Sequence, residues 1–283
     1  MTNVKYYKEY IILRKETIYF KEKMDDIKRN SYILPSFIHS YGTKVDEITC
    51  KKVKRLQFNI NLIDRLKKEV SSTKKFFAFD TEAYEHEQEK LTEFGWSTFN
   101  NNGKIYSECH YIVDEYYNLR NHDNVPDNKD NYLFGKSKRL PLREIEKILK
   151  EEIKKVDIII GQGIHNDIKY LKDLGININE FRYIDGESFY SGGKAIIDTT
   201  DLYAGYYLDK PSSLENGLIK CNIPHEKMHN AGNDAHYTMK YVIYFINNMD
   251  ITKEKYQRLL RLKVPSYIGP CKYYIIKLNI LLI

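Results

Sequence analysis

The chain has 283 residues, is 42% hydrophobic and 30% charged, and carries a formal net charge of +6. That length can bury a sizeable core, so one full-sized domain with extensions is expected, and the composition excludes a disordered or membrane-spanning chain. The mild basic excess is compatible with a polyanionic partner.

The start, MTNVKYYKEY, is too polar for a secretory leader, and no apolar run approaches the ~18–20 residues a bilayer requires. Cys50, Cys109, Cys221 and Cys271 are scattered without a CxxC pair, which reads as free thiols in a reducing compartment. An intracellular protein with no membrane partner is expected. The word KKVKR is too weak to distinguish nucleus from cytoplasm.

In chain order, residues 1–45 are Tyr-rich and basic without a clean period and read as an accessory segment. Val53, Leu56, Ile60, Ile63, Leu66 and Val70 recur at three- and four-residue steps, predicting an amphipathic helix over 53–70 with a Lys/Arg face. FFAFDTE reads as a buried strand. LTEFGWSTFN and KIYSECHYIVD read as two more, joined by the tight-turn word NNG, so the first three strands form an antiparallel meander. A long polar loop, EYYNLRNHDNVPDNKDNYLFGKSKRLP, follows; a loop of that length signals function or disorder.

The period then changes. LREIEKILKEEIKKV is helical, DIIIGQG is a short buried strand, NDIKYLKDLGI is helical, and KAIIDTTDLY is a strand. SSLENGLIKCNI is a helix capped by Ser212 or Ser213, and NDAHYTMKYVIYFINN is the last helix. Three antiparallel strands followed by βα crossovers imply an α/β fold with a mixed five-stranded sheet and helices on both faces. The expected organisation is a basic extension over 1–70, a catalytic-type domain over 71–250, and a tail over 251–283, whose apolar end YYIIKLNILLI reads as a packed or irregular terminus.

Asp80 and Glu82 stand at i and i+2 at the end of the first strand, so they share one face roughly 7 Å apart. Asp167 opens the helix after the glycine-flanked strand, and Asp234 sits near the start of the last helix, five residues after His229. Strand ends and the helix starts facing them are where sites assemble in sheets of this build. Four carboxylates converging there repel one another unless cations neutralise them, and an all-oxygen set without cysteine suits Mg²⁺ or Mn²⁺.

The words FDTE, GQGIHNDIKYL and HNAGNDA, in that order, resemble the three motifs of the DEDDh exonucleases of the ribonuclease H-like superfamily; SSLENGLIKCNI is similar to that family's Ser-Leu-x-x-Leu helix. The resemblance spans roughly residues 74–248. The loop words LRN, VPDN and FG resemble a fungal branch of Gfd-type and QDE-interacting-type proteins. Where many relatives carry Gly-His-Asn in the second motif, this chain has Gly161, Gln162 and Gly163, which alters the residues expected to meet the terminal nucleotides.

The resemblance implies a 3′–5′ exonuclease acting on single-stranded nucleic acid, RNA ahead of DNA, by two-metal hydrolysis. It places two Mg²⁺ or Mn²⁺ ions on Asp80, Glu82, Asp167 and Asp234, makes His229 the general base, and assigns substrate contacts to Thr81 and Gln162. An imidazole suits the base because its ordinary pKa lies near neutrality. Small Ala231 and Gly232 are expected to let the backbone pass close to a nucleotide. The other class of function open to the chain is a nucleic-acid-binding scaffold that kept the acids without turnover.

Several residues have plainer readings. Trp96 is expected in the core, with Tyr84, Tyr132 and Phe134 as possible stacking partners for bases. Asp198 and Asp201 read as turn caps. His39, His86, His110, His122, His165, His225 and His236 read as structural or exposed. The basic helix 51–68 and Lys136, Lys138, Arg139 and Arg143 read equally as solvated faces or as a grip on a phosphate backbone.

Overall fold

A computed structural model describes residues 47–68, 74–184 and 193–262. The accessory segment 1–45 and the apolar tail that ends the chain lie outside the described residues. No helix among them is long and apolar enough to cross a membrane.

The residues group into two compact units. The smaller takes in, among the described residues, 47–58, 208–210 and 251–262. Within it helix α1 (Glu47–Lys68), in its part up to Phe58, meets α7 (Glu254–Leu260) through Gln57, whose amide donates to the carbonyls of Leu259 and Leu262 at 2.7 and 2.8 Å. The larger unit, 59–207 with 211–250, holds the sheet and every site residue.

Seven strands build that sheet: β1 (Phe76–Tyr84), β2 (Glu87–Phe99), β3 (Ile105–Val113), β4 (Lys138–Leu140), β5 (Ile158–Gly161), β6 (Phe181–Tyr183) and β7 (Lys194–Asp198). Their order across the sheet is β4-β3-β2-β1-β5-β7-β6. β1, β2 and β3 pair antiparallel, whereas β5 runs parallel to β1 and to β7. The β2–β3 turn forms as NNG predicts: Gly103 takes φ +78°, and the Asn100 carboxamide oxygen accepts from the amides of Asn102 and Lys104.

The expected five strands are present, and two three-residue edge strands, β4 and β6, extend the sheet to seven. KAIIDTTDLY is corrected: the strand stops at Asp198, and helix α4 (Thr199–Tyr207) begins at once, because the Asp198 carboxylate accepts from the backbone N–H of Thr200 and turns the chain. Ser213 rather than Ser212 caps α5 (Leu214–Lys220), accepting from the Asn216 amide.

Alternation along β1 divides its side chains between two helical layers. Phe77 and Phe79 face a core with Trp96, Tyr111, and the apolar stripes of α2 (Leu142–Lys154) and α3 (His165–Asp173). Each such fully buried side chain contributes about 1.5–3 kcal/mol. Phe76, Ala78, Asp80 and Glu82 point the other way, toward α6 (Ala231–Asn248). That helix can lie close because Asp80 pairs across the ladder with Gly95: a Cβ on Gly95 would fall 2.0 Å from the carbonyl oxygen of Ala231. A glycine inside a strand marks such a close backbone approach.

Candidate active site

The regular β1–β2 ladder ends where the acids stand. Asp80 faces Gly95 and Glu82 faces Glu93; immediately beyond Glu82 the register shifts in a bulge, so that Ala83 pairs with Leu91 and Tyr84 with Glu87.

α6 brings the third acid. Asn230 caps it, its side chain accepting from the Asn233 amide while its own amide donates to the carbonyls of Asn128 and Lys129. Asp234 lies in the first turn, 8% exposed, and one carboxylate oxygen accepts from the backbone N–H of His229 at 3.0 Å. The other oxygen is buried without a hydrogen-bond partner among the described residues. His229 itself takes φ +61°, a left-handed conformation uncommon for a residue other than glycine. Glu82, His229 and Asp234 each offer an atom within 4.8 Å of the others.

The fourth acid arrives from the parallel side. β5 runs alongside β1, so the turn leaving β5 comes out beside the end of β1. Asp167, in the first turn of α3, accepts from the Thr81 hydroxyl at 2.7 Å. Asp80, Thr81, Glu82, Gln162 and Asp167 line one cleft of about 470 Å³.

The electrostatics place Asp80 in the middle. Its pKa is pushed well above the carboxylate range, first by burial and then by Asp234, Asp167 and Glu82 in turn. Burial likewise raises Glu82, with Glu93, Asp234 and Asp167 adding to the effect. Asp80 and Glu82 are half-buried at the cleft, where the crowding of like charge adds to the lost hydration. Burial lifts Asp167 and Asp234 to about 7, against the bonds from Thr81 and from the His229 amide that favour their ionised forms. The site is built for more positive charge than the protein supplies.

All seven predicted site residues therefore gather at the ends of β1 and β5 and the start of α6. Thr81 spends its hydroxyl on Asp167. Gln162 lines the cleft, but its amide nitrogen donates to Ser212 O at 2.7 Å and its oxygen accepts from Thr199, so both ends are engaged within the chain. Asp198 caps as expected, accepting from the Gly163 and Thr200 amides.

Ala231 and Gly232 are corrected. Ala231 is fully buried, and the smallness of Gly232 serves packing: a Cβ there would fall 2.7 Å from His110 Cβ and from the Tyr132 ring. Trp96 is core, 1% exposed. Tyr132 packs beside His110 and Phe134 stacks on His236, so the aromatic ring lining the cleft is that of Tyr170.

Sequence reasoning missed Glu93. It is 3% exposed, joined to His110 Nε2 at 2.9 Å, and accepts from the Ala231 amide at 3.3 Å, so it ties β2 and β3 to the start of α6 beneath the acids. His110 in turn meets Ser137 at 2.8 Å. The available signal was a glutamate inside an apolar strand, two residues before Gly95.

A mixed sheet with four acids and a histidine converging at the ends of its central strands defines a nuclease-type fold of the ribonuclease H-like kind. The family model described as "DNA polymerase III subunit epsilon-like, C-terminal domain" matches residues 75–245, and the chain belongs to this DEDDh family. It is 33% identical over 188 residues to "Uncharacterized protein YDR514C" of Saccharomyces cerevisiae, covering 58% of this chain and 39% of that protein. It is 33% identical over 186 residues to "Uncharacterized nucleolar protein C2C4.08" of Schizosaccharomyces pombe, covering 62% of this chain and 71% of that protein. "Good for full DBP5 activity protein 2" of Saccharomyces cerevisiae is 30% identical over 196 residues, 60% of this chain and 35% of that protein. The chain thus spans well under half of the two budding-yeast relatives.

The residues fit divalent cations. They offer hard carboxylate oxygens without thiols, burial raises the pKa of all four with like charges adding to it at Asp80 and Glu82, and a buried Asp234 oxygen has no hydrogen-bond partner among the described residues.

Proposed function

We propose that this chain is a metal-dependent 3′–5′ exonuclease that hydrolyses phosphodiester bonds of single-stranded nucleic acid, RNA ahead of DNA. The observation that carries the reading is the position of Asp80, a carboxylate repelled by both Asp234 and Asp167, together with an Asp234 oxygen that is buried without a hydrogen-bond partner among the described residues. The acting domain is assigned to residues 71–250, with 1–70 as a basic extension that adds grip on a phosphate backbone.

Asp80, Glu82, Asp167 and Asp234 would hold two Mg²⁺ or Mn²⁺ ions. Such ions supply charge stabilisation and a nucleophile at neutral pH. His229 is the general base, its imidazole within reach of Glu82 and Asp234 and its backbone fixed by the bond to Asp234. Thr81 holds the Asp167 carboxylate, and Gln162, through Ser212 and Thr199, holds the β5–α3 turn against the substrate. The name of the fission-yeast relative, which places that protein in the nucleolus, supports RNA as substrate.

A ribo-oligomer labelled at its 3′ end tests the reading. Release of labelled mononucleotide with Mn²⁺ or Mg²⁺, slower release from the matched deoxyribo-oligomer, and none after Asp80→Ala are expected. Oligomer binding by anisotropy with no cleavage at any divalent concentration would instead support the scaffold reading, which the internally engaged Gln162 amide favours.

A further inference from the structure

Residues 115–137 of the expected long polar loop form a strap held at both ends. At one end the Glu85 carboxylate, three residues past Glu82, accepts from the backbone amides of His122, Asp123 and Asn124 at 2.7, 3.0 and 2.9 Å. Asn121 bridges the same place, donating to Ala83 O and accepting from the Glu85 amide, both at 2.9 Å. The strap's other end is sewn to the start of α6: Asn128 donates to Met228 O, and Asn233 bonds Leu133 N and Asn131 O. Between them Lys129, 2% exposed, points its ammonium inward to the carbonyls of Tyr117 and Leu119. Those amide-to-carboxylate bonds also hold Glu85 ionised, its pKa lowered to about 2, so the anchor persists at any physiological pH.

The strap leaves β3, and the β5–α3 turn leaves β5; these strands stand on opposite sides of β1 in the sheet. Both segments nonetheless line the same cleft, Asn121, Asn124 and Val125 from the strap and Gln162, Asn166 and Tyr170 from beyond β5. The two asparagine amides are spent on tying the strap to the end of β1, Asn121 on Ala83 O and Asn124 on the Glu85 carboxylate. Val125 is the apolar side chain left to face the cleft, stiff because it is β-branched and because the following Pro126 confines its backbone to extended conformations. At about 470 Å³ the space lies in the lower half of the roughly 300–1,000 Å³ typical of pockets for one small ligand. It suits one terminal nucleotide, not a base pair with two backbones.

We propose that the strap is a fixed wall that selects an unpaired 3′ end, with Val125 as the specificity-determining contact against the terminal base and Glu85 as the residue that positions the wall. The inference rests on the nuclease reading above and deepens it. Selection comes from shape and apolar contact, so it is indifferent to base identity.

The test uses the full chain and Mn²⁺, with one 3′-labelled strand presented alone or as a blunt duplex. Wild type is expected to cleave the single strand at least about tenfold faster. Val125→Gly and Glu85→Ala should each raise the duplex-to-single-strand rate ratio by about tenfold, with thermal melting confirming that both remain folded. Equal cleavage of both substrates by wild type, or an unchanged ratio in both variants, overturns the proposal and leaves the nuclease reading standing. A wild type that cleaves neither substrate sinks both.

Discussion

The backbone amide of His229 donates to the carboxylate of Asp234 at 3.0 Å, and this bond holds a histidine in the left-handed region at φ +61°. A left-handed conformation costs a non-glycine residue roughly 1–2 kcal/mol, and such outliers gather where a side chain must be aimed. His229→Gly should therefore be more stable than His229→Ala by about 1 kcal/mol, although both lose the imidazole and with it cleavage. Equal melting temperatures for the two variants would contradict the strain.

Divalent cations should stabilise the fold. At a free ion concentration of 100 times the dissociation constant, binding to the native state contributes about 2.7 kcal/mol, or roughly 5–10 °C for a domain of 150–250 residues. Asp80→Asn should abolish that Mn²⁺-induced shift, because Asp80 is the acid that both Asp234 and Asp167 crowd. A full shift in the variant would place the ions elsewhere.

The raised acids fix the sign of a pH effect. Asp234 sits at about 7 in the folded, metal-free protein against an ordinary 3.8. Between those values the native state binds more protons than the unfolded chain, so this group's contribution to stability falls as pH rises from about 4 to about 7. Asp234→Asn removes the contribution and keeps an oxygen to accept from His229. The variant's melting temperature in chelator should match wild type near pH 4 and exceed it increasingly up to pH 7. A constant offset across that range would show that the acid is not buried as described.

Gly95→Ala should disrupt the site without touching a carboxylate. The added methyl would meet the Ala231 carbonyl oxygen, a main-chain atom, at 2.0 Å, so α6 must move away from β2. A loss of about 2–4 kcal/mol is expected from such overpacking at a main-chain contact, together with loss of Mn²⁺ binding, since Asp234 travels with α6. Unchanged melting and metal binding would mean that the close approach is not needed.

Much of this arrangement was legible in the sequence because it follows from short-range rules. Asp80 and Glu82 share a face because strands alternate, Asn-Asn-Gly turns because glycine accepts positive φ, and Asp167 and Asp234 sit in first turns because the helices start just before them. The gaps arise where long-range contacts decide. β4 and β6 are three residues each, too short to show any period, and exist because a neighbouring strand offers an edge. TTDLY reads as strand by composition, yet becomes helical because Asp198 caps it. The strap shows no period at all, since its order comes from single asparagines and Glu85 bonding across to distant segments and from the buried Lys129 bonding to carbonyls at the strap's own start. Glu93 stayed hidden because its partners, His110 and the Ala231 amide, are 17 and 138 residues away.

The central claim is that Asp80, Glu82, Asp167 and Asp234 together hold a pair of divalent cations, and anomalous diffraction from crystals soaked in Mn²⁺ tests it most directly. Two peaks are predicted, each within about 2.0–2.6 Å of carboxylate oxygens from this set, with Asp80 contacting both. A map with no anomalous density between the end of β1 and the start of α6, or density held by other residues, would contradict it.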